Sequence, residues 1–174
     1  MTRGEQVLCE WSYAAFVDCD SVLSVGSMRG KFLDALPCKR KIALDVYKPY
    51  LDEIEFSCEK LHGDANVILP ALPDEYVDGV MATDFIEHVT KEQGIVLLQQ
   101  MLRLAKKRVA VFTPNGYFPQ DEARTQCTGE ELHWQIHRSG WTIEELEGLG
   151  FEVERWMYGW RDHPAGGLWG VAYK

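Results

Sequence analysis

The stretch Ser21-Val-Leu-Ser-Val-Gly-Ser-Met-Arg-Gly-Lys-Phe-Leu33, followed by Ile42-Ala-Leu-Asp-Val46, decides the fold of this chain. A short apolar run enters a glycine turn. An amphipathic segment follows, and a second apolar run ends in an acid. That is the order of a β-α-β unit able to hold a nucleoside. Glycine lets the backbone approach a ligand closely, and a carboxylate at the tip of the second strand can bind ribose hydroxyls. Gly26 and Asp45 are separated by about 20 residues, the interval such a unit requires. Taken singly, Gly26 reads as a tight turn and Asp45 as a surface acid. In this order, on consecutive strand ends, they read as two parts of one site. Met28 stands where such turns usually carry another glycine.

The alternation continues outward to about residue 113. Residues 22–25 read as the first strand and 31–36 as a short helix ended by Pro37. Residues 41–46 read as the second strand, closed by Lys48-Pro49, and 50–57 as a modest helix. Gly63-Asp64-Ala65 follows a weak third strand or stands in its place. Pro70, Pro73 and Asp74 mark a loop, and residues 77–81 form a fourth strand. Thr90-Lys-Glu-Gln93 is a capping box, in which a hydroxyl and an amide satisfy the free N–H groups of a helix start. Ile95, Leu98, Met101, Leu102 and Ala105 then recur at helical spacing. Residues 109–112 form a fifth strand, stopped by Thr113-Pro-Asn-Gly116. Thr142-Ile-Glu-Glu145 is a second capping box, and its helix ends at Gly150. Residues 151–157 and 168–173 read as an antiparallel pair of strands. Residues 1–20 form an N-terminal helix or arm with Trp11, Tyr13, Phe16 and Val17 as its apolar positions. Residues 117–138, rich in turn formers, read as a long loop or partly helical insertion that closes over substrate. Strands alternating with helices predict a parallel sheet covered on both faces.

Composition limits what such a protein binds. The chain has 174 residues, 46% hydrophobic and 26% charged, which suits a single domain spanning 1–174 with a real core. Its net charge of -9 disfavours nucleic acid and anionic membranes, because phosphates are repelled. The two basic clusters, Lys39-Arg40-Lys41 and Lys106-Lys107-Arg108, read as caps on surface elements. The five cysteines are odd in number and widely spaced, so reduced thiols are expected. With no signal-peptide pattern and no apolar run near the ~20 residues of a membrane span, a soluble cytoplasmic location is expected.

The residues at the strand ends resemble a known family, the class I S-adenosylmethionine-dependent methyltransferases, and within it the small methyltransferase-domain group. Val22-Leu-Ser-Val-Gly-Ser-Met-Arg-Gly30 is similar to that family's first motif, Ile42-Ala-Leu-Asp45 to its second and Gly63-Asp-Ala65 to its third. Val77-Asp-Gly-Val-Met-Ala-Thr-Asp-Phe-Ile-Glu-His-Val89 resembles the fourth-motif region. Val109-Ala-Val-Phe-Thr-Pro-Asn-Gly116 resembles the fifth strand and its exit. His137-Arg-Ser-Gly-Trp141 and Gly150-Phe-Glu-Val153 resemble the downstream part. The likeness covers roughly residues 20–156, and the 84–88 and 113–116 segments are its most specific parts.

The resemblance implies a Rossmann-like α/β fold: a seven-stranded, mostly parallel sheet with an antiparallel last strand and helices on both faces. It implies S-adenosylmethionine as cofactor. Gly26, Ser27 and Gly30 would line its methionine end, Asp45 would take the ribose diol, and Val46 would pack beside the adenine. Asp64 and Ala65 would flank the adenine, with Asp64 accepting from the exocyclic amine, and Asp84 would sit below the sulfonium. Two positions depart from the family. Ser24 replaces the acid that commonly precedes the turn, and Met28 replaces a turn glycine.

The sulfonium is already activated, so a methyltransferase must mainly align nucleophile, methyl and sulfur and take a proton from the acceptor. His88 and His137 are the candidate catalytic residues, since imidazole titrates near neutrality. Glu87 reads as a buttress of the cofactor loop. His133 and His137 have the spacing of paired metal ligands on a helix, but no third ligand accompanies them, and no metal is expected. Trp134, Trp141, Trp156 and Trp160 read as core and lid packing. The function expected is methyl transfer to an oxygen, nitrogen or carbon of a small molecule or peptide. Two alternatives remain open: a non-catalytic methyltransferase-like partner subunit, and a nicotinamide-dependent oxidoreductase sharing the β-α-β unit.

Overall fold

The computed structural model describes residues 2–120, 127–157 and 166–174. Trp160 and positions 121–126 of the 117–138 insertion lie outside them.

The strands follow in chain order: β1 (Ser21–Val25), β2 (Arg40–Asp45), β3 (Glu59–His62), β4 (Val77–Thr83), β5 (Ala105–Pro114), β6 (Glu152–Trp156) and β7 (Gly167–Tyr173). They form one seven-stranded sheet in the order β3-β2-β1-β4-β5-β7-β6. β1 to β5 are parallel where they pair. β7 runs antiparallel to both β5 and β6. Among the described residues this is the Rossmann-like sheet expected. The strand order reverses between β1 and β4, so the loops leaving those strands diverge and open a crevice at their carboxyl ends.

Successive strand residues face opposite sides of the sheet, and two cores follow from that. Leu23, Val25, Ile42, Leu44 and Val80 pack with Leu69 of α4 (Ala65–Ala71), Leu98 of α5 (Lys91–Leu104) and Leu146 of α7 (Ile143–Gly148). Val22, Ala43, Met81 and Phe112 pack with Leu8 and Phe16 of α1 (Arg3–Phe16) and Leu33 of α2 (Lys31–Asp34). Both capping boxes read from the sequence are formed, Thr90 with Gln93 and Thr142 with Glu145. A third, Thr2 with Glu5, starts α1.

Three local expectations are corrected, and one left open is decided. In α1 the inner face is Gly4, Leu8, Ser12 and Phe16, at i, i+4 spacing. Tyr13 and Val17 point outward, 47% and 57% exposed. The helix placed at 50–57 is α3, Lys48–Asp52, and Pro49 stands in its first turn rather than closing the strand, because the missing N–H of proline costs nothing there. The loop expected around Pro70 is the end of α4, which Asp64 caps and Leu69 anchors in the core. The third strand exists as β3, but at the sheet edge and mostly exposed, so it carries no apolar alternation to read.

Lys107 and Arg108 lie within β5 rather than at its end. Lys107 bonds the Asp18 carbonyl, and Arg108 bonds the Ala15 carbonyl at 2.8 Å and the Asp18 carboxylate at 2.7 Å, tying the end of α1 to the sheet. Lys39 pairs with Asp20, Arg40 with Glu59 and Lys41 with Asp34. These cations face local acids. Among the described residues no helix is long and apolar enough to cross a membrane.

Candidate functional site

The crevice begins where β1 ends. Gly26 has φ +65°, Met28 +46° and Gly30 +71°, so the chain reverses through the left-handed region three times in five residues. Gly26 is required twice over. A Cβ there would lie 2.4 Å from Cδ2 of Phe85, so the turn and the loop after β4 touch only because this residue has no side chain. Met28 adopts a conformation that glycine takes more readily. The turn is stitched to the tip of β2: the Ser27 N–H donates to the Leu44 carbonyl at 3.0 Å and the Met28 N–H to Oδ2 of Asp45 at 2.8 Å.

Asp45 is 7% exposed, and its Oδ1 accepts from the Tyr47 N–H at 2.9 Å. Burial raises its pKa, and the N–H groups of Tyr47 and Met28 pull the other way. Each oxygen has one of these backbone donors, which leaves further lone pairs for a ligand in the cavity it lines. Beside it, the Gly63 N–H donates to the Asp45 carbonyl at 3.0 Å. Oδ1 of Asp64 caps α4, accepting from the backbone and side-chain nitrogens of Asn66 at 2.8 and 2.9 Å.

The opposite wall comes from β4, β5 and a distant part of the chain. Asp84, at φ +51°, donates its N–H to the Phe112 carbonyl at 2.9 Å. A 3-10 turn, Ile86–His88, follows and carries Glu87 into the interior, 1% exposed. Thr113 Oγ1 donates to Glu87 Oε2 at 2.9 Å. The segment after α6 (Gly129–Gln135) packs onto this turn. The N–H groups of Arg138 and Ser139 donate to the Glu87 carbonyl at 2.7 and 3.1 Å. Ser139 Oγ and Trp141 Nε1 donate to the Ile86 carbonyl at 3.0 and 3.2 Å. The Arg138 guanidinium reaches the His88 carbonyl at 2.8 Å. These bonds bring the rings of His88 and His137 edge to face, with centroids 4.8 Å apart.

Between the walls lies a cavity of about 240 Å³. Gly26, Asp45, Val46, Asp64, Ala65, Asp84 and His88 line it. Ser27, Gly30 and His137 are not among its lining residues. Ser27 is buried in the turn, and Gly30 starts α2 with Phe56 2.8 Å from where its Cβ would be. His137 is buried behind His88, its Nδ1 2.6 Å from the Phe118 carbonyl. His133 and His137 do not share a helix face, because α6 stops at Gln135. His137 meets His88 and Glu87 instead, and the ligand atoms of these three lie within 4.8 Å of one another.

Sequence reasoning missed several walls. Met28, Tyr50, Phe85 and Arg138 line the cavity, and α6 roofs it with His133, Trp134 and Gln135. Tyr50 Oη donates to Glu131 Oε1 at 2.5 Å, pinning the roof to α3. Burial first, then Glu131, pushes the Tyr50 phenol well above its ordinary range and keeps it a donor. Trp134 was readable only as a packing residue, while Trp141 and Trp156 are fully buried core.

No protein-family model matches the chain, and no curated protein matches it in sequence. Solved structures do match in fold. An S-adenosylmethionine-dependent methyltransferase from Archaeoglobus fulgidus is 21% identical, with a TM-score of 0.71 over 98% of this chain and 94% of that one. An S-adenosylmethionine-dependent methyltransferase from Mesorhizobium loti is 11% identical, with a TM-score of 0.69 over 98% of both chains. The Burkholderia thailandensis 1,6-didemethyltoxoflavin-N1-methyltransferase, solved with 1,6-didemethyltoxoflavin and S-adenosylhomocysteine, is 15% identical. Its TM-score is 0.68 over 99% of this chain and 78% of that one. The strand order, the reversed last strand and these matches together give this chain the fold of the class I S-adenosylmethionine-dependent methyltransferases.

Proposed function

We propose that the protein binds S-adenosylmethionine in this crevice and transfers its methyl group to a small acceptor. The observation that carries the reading is Asp45: a buried carboxylate at the tip of β2, fixed by two backbone N–H groups, with free lone pairs on a cavity that the glycine turn also lines. That arrangement suits a ribose diol. Val46, Ala65 and Asp64 would flank the adenine. Asp64 retains Oδ2 for the exocyclic amine, because its helix cap uses Oδ1. Gly26 and Asp84 would face the methionine end. Ser27 and Gly30 serve the site through the shape of the turn.

The acceptor would enter between the 3-10 turn and the roof, where His88 lines the wall. His137 acts through His88, as a positioning residue. The oxygen, nitrogen or carbon nucleophile attacks the methyl carbon, the carbon–sulfur bond breaks toward sulfur, the acceptor's proton passes to water, and S-adenosylhomocysteine leaves with its sulfur neutral. A small molecule or peptide is favoured as acceptor over nucleic acid by the net charge of -9. The reducing cytoplasm suits the thiol-rich composition.

A second reading has one observation behind it. Met28 lines the cavity where the family has glycine, and Phe85 lies against Gly26, so the turn is more crowded than a donor-binding turn need be. A partner subunit that no longer binds the donor would tolerate this. Titration calorimetry with S-adenosylmethionine decides: saturable binding supports the enzyme, and no heat at millimolar donor supports the subunit. Chromatographic detection of S-adenosylhomocysteine across a panel of small acceptors then tests turnover.

A further inference from the structure

We propose that Glu87, His88 and His137 form a binding site for a divalent first-row transition-metal ion, open toward the acceptor end of the cavity. Their ligand atoms lie within 4.8 Å of one another. One ion with bonds of about 2.1 Å holds neighbouring ligands roughly 3–4 Å apart, so small side-chain rotations close the set. Two imidazoles and one carboxylate on one side of an ion leave coordination positions free on the other. Of the three ligands His88 lines the cavity, so the ion site adjoins the cavity through that ring. Two nitrogen donors select against magnesium and calcium, which prefer oxygen, and in favour of manganese, iron, cobalt, nickel or zinc.

The supporting contacts are those a metal site needs. His137 Nδ1 lies 2.6 Å from the Phe118 carbonyl, and His88 Nδ1 lies 3.4 Å from the Ile136 carbonyl. A carbonyl beside Nδ1 favours the tautomer that carries its proton there and its lone pair on Nε2. Thr113 Oγ1 fixes one oxygen of Glu87 and so orients the carboxylate. The backbone bonds from Arg138 and Ser139 to Glu87 hold the two ligand-bearing segments together without the ion. Glu87 and His137 are 1% and 5% exposed, so folding has already dehydrated them, and a cation there would meet a strong local field.

The ion gives the acceptor site a chemistry, and this part rests on the methyl-transfer reading. An acceptor hydroxyl bound to the ion loses its proton to solvent more readily, as metal-bound water does. Its oxygen lone pair then forms the new bond to the methyl carbon while the carbon–sulfur pair returns to sulfur. The substrate class is therefore a hydroxyl acceptor, an alcohol or phenol, and the imidazoles serve as ligands.

The test uses the full chain, stripped of metal by chelator and titrated with cobalt(II) without donor. Visible absorbance should show one saturating equivalent, and His88→Ala and His137→Ala should each weaken it at least tenfold, while Cys127→Ser changes nothing. Nitrogen NMR of the unmutated chain, which needs no variant to fold, should show substoichiometric cobalt shifting or broadening two of the five histidines, assigned to His88 and His137. No saturation at millimolar cobalt, or signals from other histidines only, overturns the site. S-adenosylmethionine titrated on the same samples separates the two ideas. Donor binding without cobalt binding sinks the metal site alone. Cobalt binding without donor binding sinks the methyltransferase reading and keeps the site.

Discussion

The two walls of the crevice are made by different means. On the donor side the polar contacts are short in sequence: Met28 to Asp45 spans 17 residues, and Tyr47 to Asp45 and Asn66 to Asp64 span two each. On the acceptor side Thr113 reaches Glu87 over 26 residues, and Ser139 and Trp141 reach Ile86 over 53 and 55. The donor wall is thus largely a property of consecutive β-α-β units. The acceptor wall forms only when residues 136–141 have returned to the exit of β5. Closing a long loop costs more chain entropy than closing a short one, and the packing of Trp141 offsets that cost. Its ring fills the space over Gly94, where a Cβ would lie 2.5 Å away, and Lys91 Nζ sits 4.0 Å above its face.

The strongest test of this contrast is Trp141→Ala. Loss of a fully buried tryptophan is expected to cost about 3–5 kcal/mol of stability, read by denaturant unfolding. Residues 86–88 and 136–141 should lose hydrogen-exchange protection before residues 23–45 do. Uniform loss across both walls would show that they form one cooperative unit and that the distinction is only of sequence distance.

Asp45→Ala attacks the other wall. Removing two charged hydrogen bonds to a ribose diol is worth about 3 kcal/mol, or ~100-fold in donor affinity. Calorimetry giving a change below threefold would remove Asp45 from the proposed site. Because burial raises the folded pKa of Asp45, its contribution to stability without ligand is present below the ordinary aspartate pKa and lost as pH rises through the folded value. Ionised Asp45 is therefore a cost to the stability of the free protein.

Asp78, at the amino end of the central strand β4 and so at the opposite end of the strands from the crevice, is the control for both walls. Its Oδ2 accepts from the N–H groups of Asp20 at 2.9 Å and Ser21 at 3.1 Å. Burial raises its pKa, but these bonds together outweigh burial and hold it below the ordinary value. Asp78→Ala should cost about 1–3 kcal/mol and leave donor affinity unchanged. A folded pKa below the unfolded one means this contribution is complete above about pH 4. It is lost as pH falls further, so the acid-side decline in thermal stability should flatten in the variant.

Tyr50→Phe removes the bond that joins the roof to α3. Deuterium exchange at 129–135 should quicken by the factor of about 2–10 that 0.5–1.5 kcal/mol implies, without change at 23–45. The smallest effect belongs to Met28→Gly. Relief of the left-handed conformation is worth ~1 kcal/mol, and the extra freedom of glycine in the unfolded chain takes back about half. Donor affinity should hold or rise. A fall would make Met28 a ligand contact rather than a tolerated departure.

How much of the fold was legible follows the same division. The strands of β1, β2, β4 and β5 and the capping boxes at Thr90 and Thr142 were readable, because apolar period and cap chemistry are local, whereas the reversed last strand was implied by the family resemblance. β3 was faint, since an edge strand has little apolar face to write into the sequence. Pro70 misled, because its cost in the last turn of a short helix is outweighed by the Asp64 cap and buried Leu69. Of the cavity's lining, Gly26, Asp45, Asp64 and Asp84 were expected from their places at strand tips. Trp134, Tyr50 and Phe85 were not, because an aromatic side chain reads the same whether it fills a core or walls a cavity.

The sequence by itself determined which strand tips meet, since parallel β-α-β units leave no other place for Gly26, Asp45, Asp64 and Asp84. Only the tertiary structure decided that His137 pairs with His88 and Glu87 rather than with His133, and that Ser27 and Gly30 shape the turn without lining the cavity. The reason is geometric. Periodicity records which way a residue faces within its own element, whereas a meeting between segments fifty residues apart depends on how the whole sheet twists and where the chain returns.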